Sequence, residues 1–217
     1  MRPFGVFGGI FDPIHYGHLR TAHELYELLD LEAIAFMPAG EPPHRALPLA
    51  DSTTRLAMVR AAVEDDTRFS VDDRELRRPG PSYTVLTLEE LRAERGDQPL
   101  VLIMGMDAFA GLDRWHRVQE LISLTHLVIA VRPGTEVPRE GLAAALLHQH
   151  RCDDPQRLSE APAGLVYVSA GTQLDLSSSA VRRVVAAGRD PRYLMPDAVR
   201  RIIVGRGSYA RPHEAKE

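Results

Sequence analysis

Two stretches of this chain, Val101-Leu102-Ile103-Met104 and Leu127-Val128-Ile129-Ala130-Val131, are apolar at every position. A strand with one wet face alternates polar and apolar side chains, so an unbroken apolar run marks a strand covered on both faces. With these two, strands are expected at 3–7, 33–37, 69–71, 100–104, 127–131 and 165–168. Helical patterns lie between them, at 18–29, 52–63, 84–95 and 117–122. In the first of these, Leu19, Ala22, Tyr26 and Leu29 recur at spacings of three and four. Alternating strands and helices predict an α/β fold: a Rossmann-like, doubly wound, mainly parallel sheet with helices on both faces.

Helix punctuation is clear near the C-terminus. Ser177 or Ser178 can cap a helix with Val181, Val184 and Val185 on one face and Gly188 past its end. Pro196 opens a last helix carrying Val199, Ile202 and Ile203. A chain of 217 residues is expected to form a single domain over residues 1–205, with 206–217 a frayed tail. Residues 133–163 carry the weakest signals and read as a variable excursion.

Composition removes several classes of function. The net charge of −4 gives no support to a broad nucleic-acid-binding surface. No apolar run reaches the roughly 18 residues of a membrane span, and no signal peptide is evident. A single cysteine, Cys152, forms no internal disulfide. These features predict a cytoplasmic protein with no nucleic-acid or membrane partner; a homo-oligomer is compatible with them. Lysine occurs once, as Lys216. A Walker-type phosphate loop and a Schiff-base mechanism both need a lysine in the site. Phosphate would therefore be held by backbone N–H groups, histidine, arginine or metal.

The first strand candidate ends in Gly8-Gly9-Ile10-Phe11-Asp12-Pro13-Ile14-His15-Tyr16-Gly17-His18-Leu19. Glycines let a phosphate approach the backbone, and the following helix start offers free N–H groups and a partial positive charge. Two imidazoles one helical turn apart can face the same anion. Ser177-Ser178-Ser179-Ala180-Val181-Arg182 offers a second anion site made of hydroxyl caps, helix dipole and guanidinium. Taken alone, it also reads as an ordinary capped helix. Other polar clusters are Glu41-Pro42-Pro43-His44-Arg45, Pro81-Ser82-Tyr83-Thr84 before a helix, Gly105-Met106-Asp107 after a central strand, Trp115 in a polar stretch, and Arg132-Pro133-Gly134. Each has an ordinary structural reading as a turn, cap or solvated arginine.

Gly-Gly-x-Phe-x-Pro-x-His-x-Gly-His resembles the signature of the nucleotidylyltransferase superfamily with the HxGH motif. Leu176-Ser177-Ser178-Ser179-x-x-Arg182 resembles that family's Ile-Ser-Ser-Thr-x-x-Arg motif. The ordered set, with Asp73-Arg74-Glu75-Leu76, Pro-Ser-Tyr-Thr, Gly-x-Asp, Trp115 and Arg-Pro-Gly, resembles the bacterial nicotinate-nucleotide adenylyltransferases. The resemblance implies transfer of AMP from ATP to nicotinate mononucleotide, giving deamido-NAD and pyrophosphate. It implies Mg²⁺ entering with ATP, and no tightly bound, protein-ligated metal. By motif, His18 and His15 would be catalytic. Gly8, Gly9, Ile10, Phe11, His15, His18, Gly105, Asp107, Ser177, Ser178 and Arg182 would bind ATP, with Ser177 and Arg182 on its β- and γ-phosphates. His44, Arg45, Tyr83, Thr84, Asp107 and Trp115 would bind nicotinate mononucleotide, Trp115 by stacking on the pyridine ring.

Three other readings remain in view. The same transfer could use nicotinamide mononucleotide, phosphopantetheine or a phosphorylated alcohol. A non-catalytic nucleotide sensor would be expected to have lost part of the HxGH motif or the arginine after the serines, and both are present. A zinc site at His148, His150 and Cys152 would need these three on one face of a strand, and lacks the usual ligand spacing. A dinucleotide oxidoreductase is disfavoured, because no Gly-x-Gly-x-x-Gly follows the first strand.

Overall fold

The computed structural model describes residues 1–40, 47–131, 136–172 and 174–210. Among these, seven strands form one sheet in the order β3-β2-β1-β4-β5-β7-β6, and every pairing is parallel. The strands are β1 (Phe4–Gly9), β2 (Ala33–Pro38), β3 (Phe69–Val71), β4 (Leu100–Gly105), β5 (His126–Ala130), β6 (Arg151–Cys152) and β7 (Val166–Ser169). The helices are α1 (Tyr16–Leu28), α2 (Ser52–Val63), α3 (Arg74–Arg77), α4 (Thr84–Arg95), α5 (Met106–Ala110), α6 (Val118–Leu124), α7 (Gly141–His150), α8 (Ser178–Ala186) and α9 (Asp197–Arg206).

Side chains along each strand alternate between two cores. Phe7, Ile34, Phe36, Val101 and Ile103 face one side, where Leu25 of α1, Met58 and Val59 of α2, Val181 of α8 and Ile203 of α9 cover them. Val6, Ala35, Met37, Leu102 and Met104 face the other, against Leu88 of α4, Phe109 of α5, Leu121 of α6 and Leu146 of α7. Both faces of the central strands are therefore dry, which is why β4 and β5 read as continuous apolar runs. The chain winds outward from β1 to β2 and β3, then returns to lay β4 on the other side of β1. The loops after β1 and β4 diverge at this reversal and leave a crevice at the carboxyl ends of the strands.

The expected doubly wound sheet is found, with differences at element edges. β1 continues through Gly8 and Gly9, which pair with Met37 and Pro38, so the two motif glycines are still held in the sheet. α1 starts at Tyr16 rather than residue 18. The Tyr16 amide donates to the Leu194 carbonyl at 3.0 Å, so a tertiary contact fixes this entry despite the weak helix propensity of Tyr16-Gly17. The 133–163 excursion includes α7, the short β6 and a 3₁₀ turn at Pro155–Ser159. His148 and His150 lie on helix α7, not on a strand. Cys152 is buried on β6 with its thiol on the Asp154 carbonyl, while His150 Nδ1 contacts the Gly164 carbonyl. The one-face arrangement behind the zinc reading is therefore not formed.

The boundary expected at residue 205 also falls inside an element. α9 runs through Arg206, and Gly207 (φ 63°) ends it in the left-handed conformation glycine tolerates and turns the chain back. Tyr209 then packs on the first core and donates a 2.6 Å hydrogen bond to the buried Asp12 carboxylate. The packed fold thus extends to Tyr209. Tyr209→Phe should cost about 1–3 kcal/mol by leaving a buried carboxylate short of a donor. Thermal melting would read this as about 2–4 °C per kcal/mol. Arg201→Ala, which breaks an exposed pair with Asp197, should leave Tm unchanged.

Candidate active site

A cavity of about 580 Å³ opens over the reversal point between β1 and β4. Gly8 to Asp12, His15, Gly17 and His18 line one wall. Ser177, Ser178, Ser179 and Arg182 close the same end, and Ser82, Tyr83, Thr84, Gly105, Asp107, Trp115 and His116 line the other. Among the described residues, every position expected at the site borders this one cavity. His44, Arg45 and Arg132 lie outside the described residues.

The histidine loop is built tightly. His15 is the N-cap of α1 and is fully buried, and His18 sits in the first turn. Their rings stack at 3.8 Å, and the His15 amide donates to His18 Nδ1 at 3.3 Å. Phe7 and Phe11 meet the His18 ring edge-on at 6.1 and 5.1 Å, so aromatic walls fix its plane. Gly17 is required here by space: a Cβ would lie 2.9 Å from His15 ring atoms and 3.3 Å from the Leu176 carbonyl. Gly8 and Gly105 have open space where a Cβ would be, and both border the cavity.

The two anion-binding motifs, far apart in sequence, are joined directly. Ser177 caps α8 by accepting from the Ala180 amide at 3.2 Å. Ser178 Oγ donates to the Pro13 carbonyl at 2.9 Å, and an Arg182 guanidinium nitrogen donates to the Asp12 carbonyl at 2.6 Å. The paired imidazoles, the α8 N-terminus and a half-buried guanidinium thus share one rim. Such a rim suits a polyanion.

Several supporting groups carry no role in the motif reading. Asp12, 4% exposed, accepts from the amides of Leu49 (2.8 Å) and Ala50 (3.1 Å) and from Tyr209, with Arg182 at 3.7 Å. Arg55, 2% exposed on α2, donates to the carbonyls of Ile10 (2.9 Å), Ala39 (2.8 Å) and Gly40 (3.5 Å). Burial lowers its pKa, and the Asp12 charge opposes that shift. The signal for Arg55 was its spacing: it shares a helix face with Met58 and Val59, which are core residues. Glu75 is buried in the cavity wall beside Ser82 and Thr87.

At the far wall, Tyr83 is the N-cap of α4, so the amides of the first turn face the end of the cavity lined by Ser82, Tyr83 and Thr84. The His116 ring lies 4.3 Å from the Tyr83 ring. Trp115 is half-buried against the second core and also lines the cavity, leaving part of the indole accessible. Asp107 is exposed in the first turn of α5.

The cytidylyltransferase-like family model matches residues 6–184. The chain is 44% identical over 208 residues to the probable nicotinate-nucleotide adenylyltransferase of Methylococcus capsulatus, covering 95% of this chain and 99% of that one. It is 45% identical over 210 residues to the protein of the same description from Acidithiobacillus ferrooxidans, covering 95% of each. The structure of Plasmodium falciparum nicotinic acid mononucleotide adenylyltransferase complexed with NaAD superposes with a TM-score of 0.75 at 15% identity, over 96% of this chain and 98% of that one, a likeness of fold. The chain belongs to the cytidylyltransferase-like family and, within it, to the nicotinate-nucleotide adenylyltransferases.

Proposed function

We propose that this protein transfers the adenylyl group of ATP to nicotinate mononucleotide, forming deamido-NAD and releasing pyrophosphate. The observation that carries this reading is the junction of the histidine loop with α8. Through Asp12, Pro13, Ser178 and Arg182, two motifs some 160 residues apart form one polyanion rim, opposite a separate helix N-terminus suited to a carboxylate.

The reaction needs no protein nucleophile. A phosphate oxygen of the acceptor attacks the α-phosphorus in line, and the bond to the β-bridging oxygen breaks. The electron pair leaves with pyrophosphate. Catalysis is positioning plus stabilisation of spreading negative charge. Because His18 Nδ1 accepts from the His15 amide, a neutral His18 ring carries its proton on Nε2 and can donate it to a phosphoryl oxygen. His15 holds that ring by stacking and by its own backbone. Ser177 and Arg182 hold the β- and γ-phosphates beside Ser178, and Mg²⁺ carried in with ATP would neutralise part of their charge. Gly8 to Phe11 let the triphosphate approach the backbone. Gly105 and Asp107 face the riboses. Tyr83 and Thr84 receive the nicotinate carboxylate, and Trp115 stacks on the pyridine. His44 and Arg45 complete the nucleotide site by motif.

His18→Ala should lower kcat by at least ~100-fold, the scale of losing one preorganised donor. The measurement is pyrophosphate release from ATP and nicotinate mononucleotide, and a near-normal rate removes His18 from catalysis. Gly17→Ala should lower the same rate with little change in the KM for the mononucleotide, because its Cβ displaces the His15 ring and not the acceptor wall. Amides bind a carboxylate more strongly than a neutral carboxamide. Nicotinate mononucleotide should therefore exceed nicotinamide mononucleotide in kcat/KM by at least ~10-fold. Equal values at every pH would refute the acceptor assignment.

A further inference from the structure

Glu75 stands at the wall where the acceptor's acidic ring is assigned, and the reaction as described makes no use of it. Only 8% of its surface is exposed. Its carboxyl accepts from the buried Thr87 hydroxyl at 2.9 Å, one turn into α4, and from the backbone amide of Gly40, just beyond β2. Its own carbonyl accepts from Ser82 Oγ at 3.4 Å. The contact is close: a Cβ on Gly40 would collide with the Ser82 hydroxyl and the Glu75 carbonyl. One side chain thus ties the end of β2 to the helix N-terminus that carries Tyr83 and Thr84. All of these residues except Gly40 line the cavity.

A carboxylate is an odd choice beside a subsite for another carboxylate. Two like charges in a partly dry cavity repel, and each makes the other harder to ionise. Its neighbours compensate the charge only in part. Arg78 lies close enough to favour ionisation, but its guanidinium is bonded to Glu90 at 2.7 Å and to Thr87 at 3.1 Å. Asp72 opposes ionisation, and Arg74 is taken up by Asp72, Glu90 and Glu94. Among the described residues, Tyr83, His116 and Asp107 are the other titratable groups on this wall of the cavity. Burial, the largest influence, pushes the Glu75 carboxyl above the usual carboxylate range.

We propose that Glu75 is a positioning and specificity-determining residue of the acceptor subsite: its protonated carboxyl admits an acidic pyridine mononucleotide, and its ionised form excludes one. This rests on the acceptor reading above. The protonated form still accepts from Thr87 and Gly40, so the α4 N-terminus stays in place. Loss of the proton adds a negative charge facing the nicotinate carboxylate. A carboxamide feels almost none of this change. Discrimination between acid and amide therefore falls as pH rises through the Glu75 titration, which burial places above the usual carboxylate range.

The test is the ratio of kcat/KM for nicotinate over nicotinamide mononucleotide, read by pyrophosphate release between about pH 5 and 9, the span of raised glutamate titrations. The acceptor phosphate and the ATP site are common to both substrates and cancel in the ratio. In the wild type the ratio should fall by at least ~10-fold across this range, one pKa unit's worth of repulsion. Glu75→Gln keeps the shape and the acceptor oxygen and should hold the ratio at its low-pH value. Its melting temperature at pH 5 should match the wild type. A contribution from His116 or Tyr83 would persist in that variant, and a merely structural role would move both substrates together. A flat wild-type ratio, or the same slope in Glu75→Gln, overturns this proposal alone. Failure of both mononucleotides to release pyrophosphate overturns the acceptor reading and this proposal with it.

Discussion

The buried Asp12 carboxylate holds the site in one piece. Left unpaired, a charge that deep costs several kcal/mol, so the chain must bring it donors. Those donors come from the Leu49-Ala50 segment ahead of α2, from Tyr209 after α9 and, more distantly, from Arg182 on α8. Three distant parts of the sequence are thereby pinned to the loop that follows β1. Arg55 works from the opposite side, donating to carbonyls at the ends of β1 and β2 and fixing the distance between them. The loop after β1 is held by a buried anion and a buried cation. A loop held this way has little to reorganise when a triphosphate arrives, which is where electrostatic catalysis gains most.

Much of this was legible in advance. The sheet could be read because β4 and β5 are apolar throughout, and α2 and α4 matched their expected bounds, 52–63 and 84–95, at both ends. The rim could be read because histidine, glycine, serine and arginine fall in a recognisable order. Less legible were groups whose meaning depends on a partner elsewhere in the chain. Asp12 stood inside the motif in plain sight, but nothing local says that its donors are Tyr209 and the amides of Leu49 and Ala50. Tyr209 looked like tail because two glycines precede it; one of them, Gly207, is the turn that carries it back to the site. The entry of α1 was misjudged for a similar reason, since Leu194 supplies the acceptor that fixes Tyr16. Arg55 was within reach of periodicity alone: a single charge on an apolar helix face demands buried acceptors.

On the proposed reading the cavity would meet anions at two ends by different physics, and the near-absence of lysine makes the contrast sharp. At the end proposed for the triphosphate the charge to be met is large, and fixed groups would meet it: the Arg182 guanidinium, imidazoles and the α8 N-terminus. Arg182 is itself tethered to Asp12 and Ser179, so it offers a rigid face rather than a flexible arm. At the acceptor end a strong fixed cation would hold a second copy of ATP as readily as a pyridine acid. Among the described residues that wall carries instead backbone amides, an indole, a phenol, the His116 imidazole, Asp107 and the buried Glu75, and no arginine or lysine. Amide dipoles suffice for a single carboxylate but not for a chain of phosphates, and a nearby glutamate tightens that limit further. On the proposed reading orientation then follows from charge density: the triphosphate would settle by Arg182 and the paired imidazoles, the zwitterionic ring with its single carboxylate at the opposite wall, and the α-phosphorus between them.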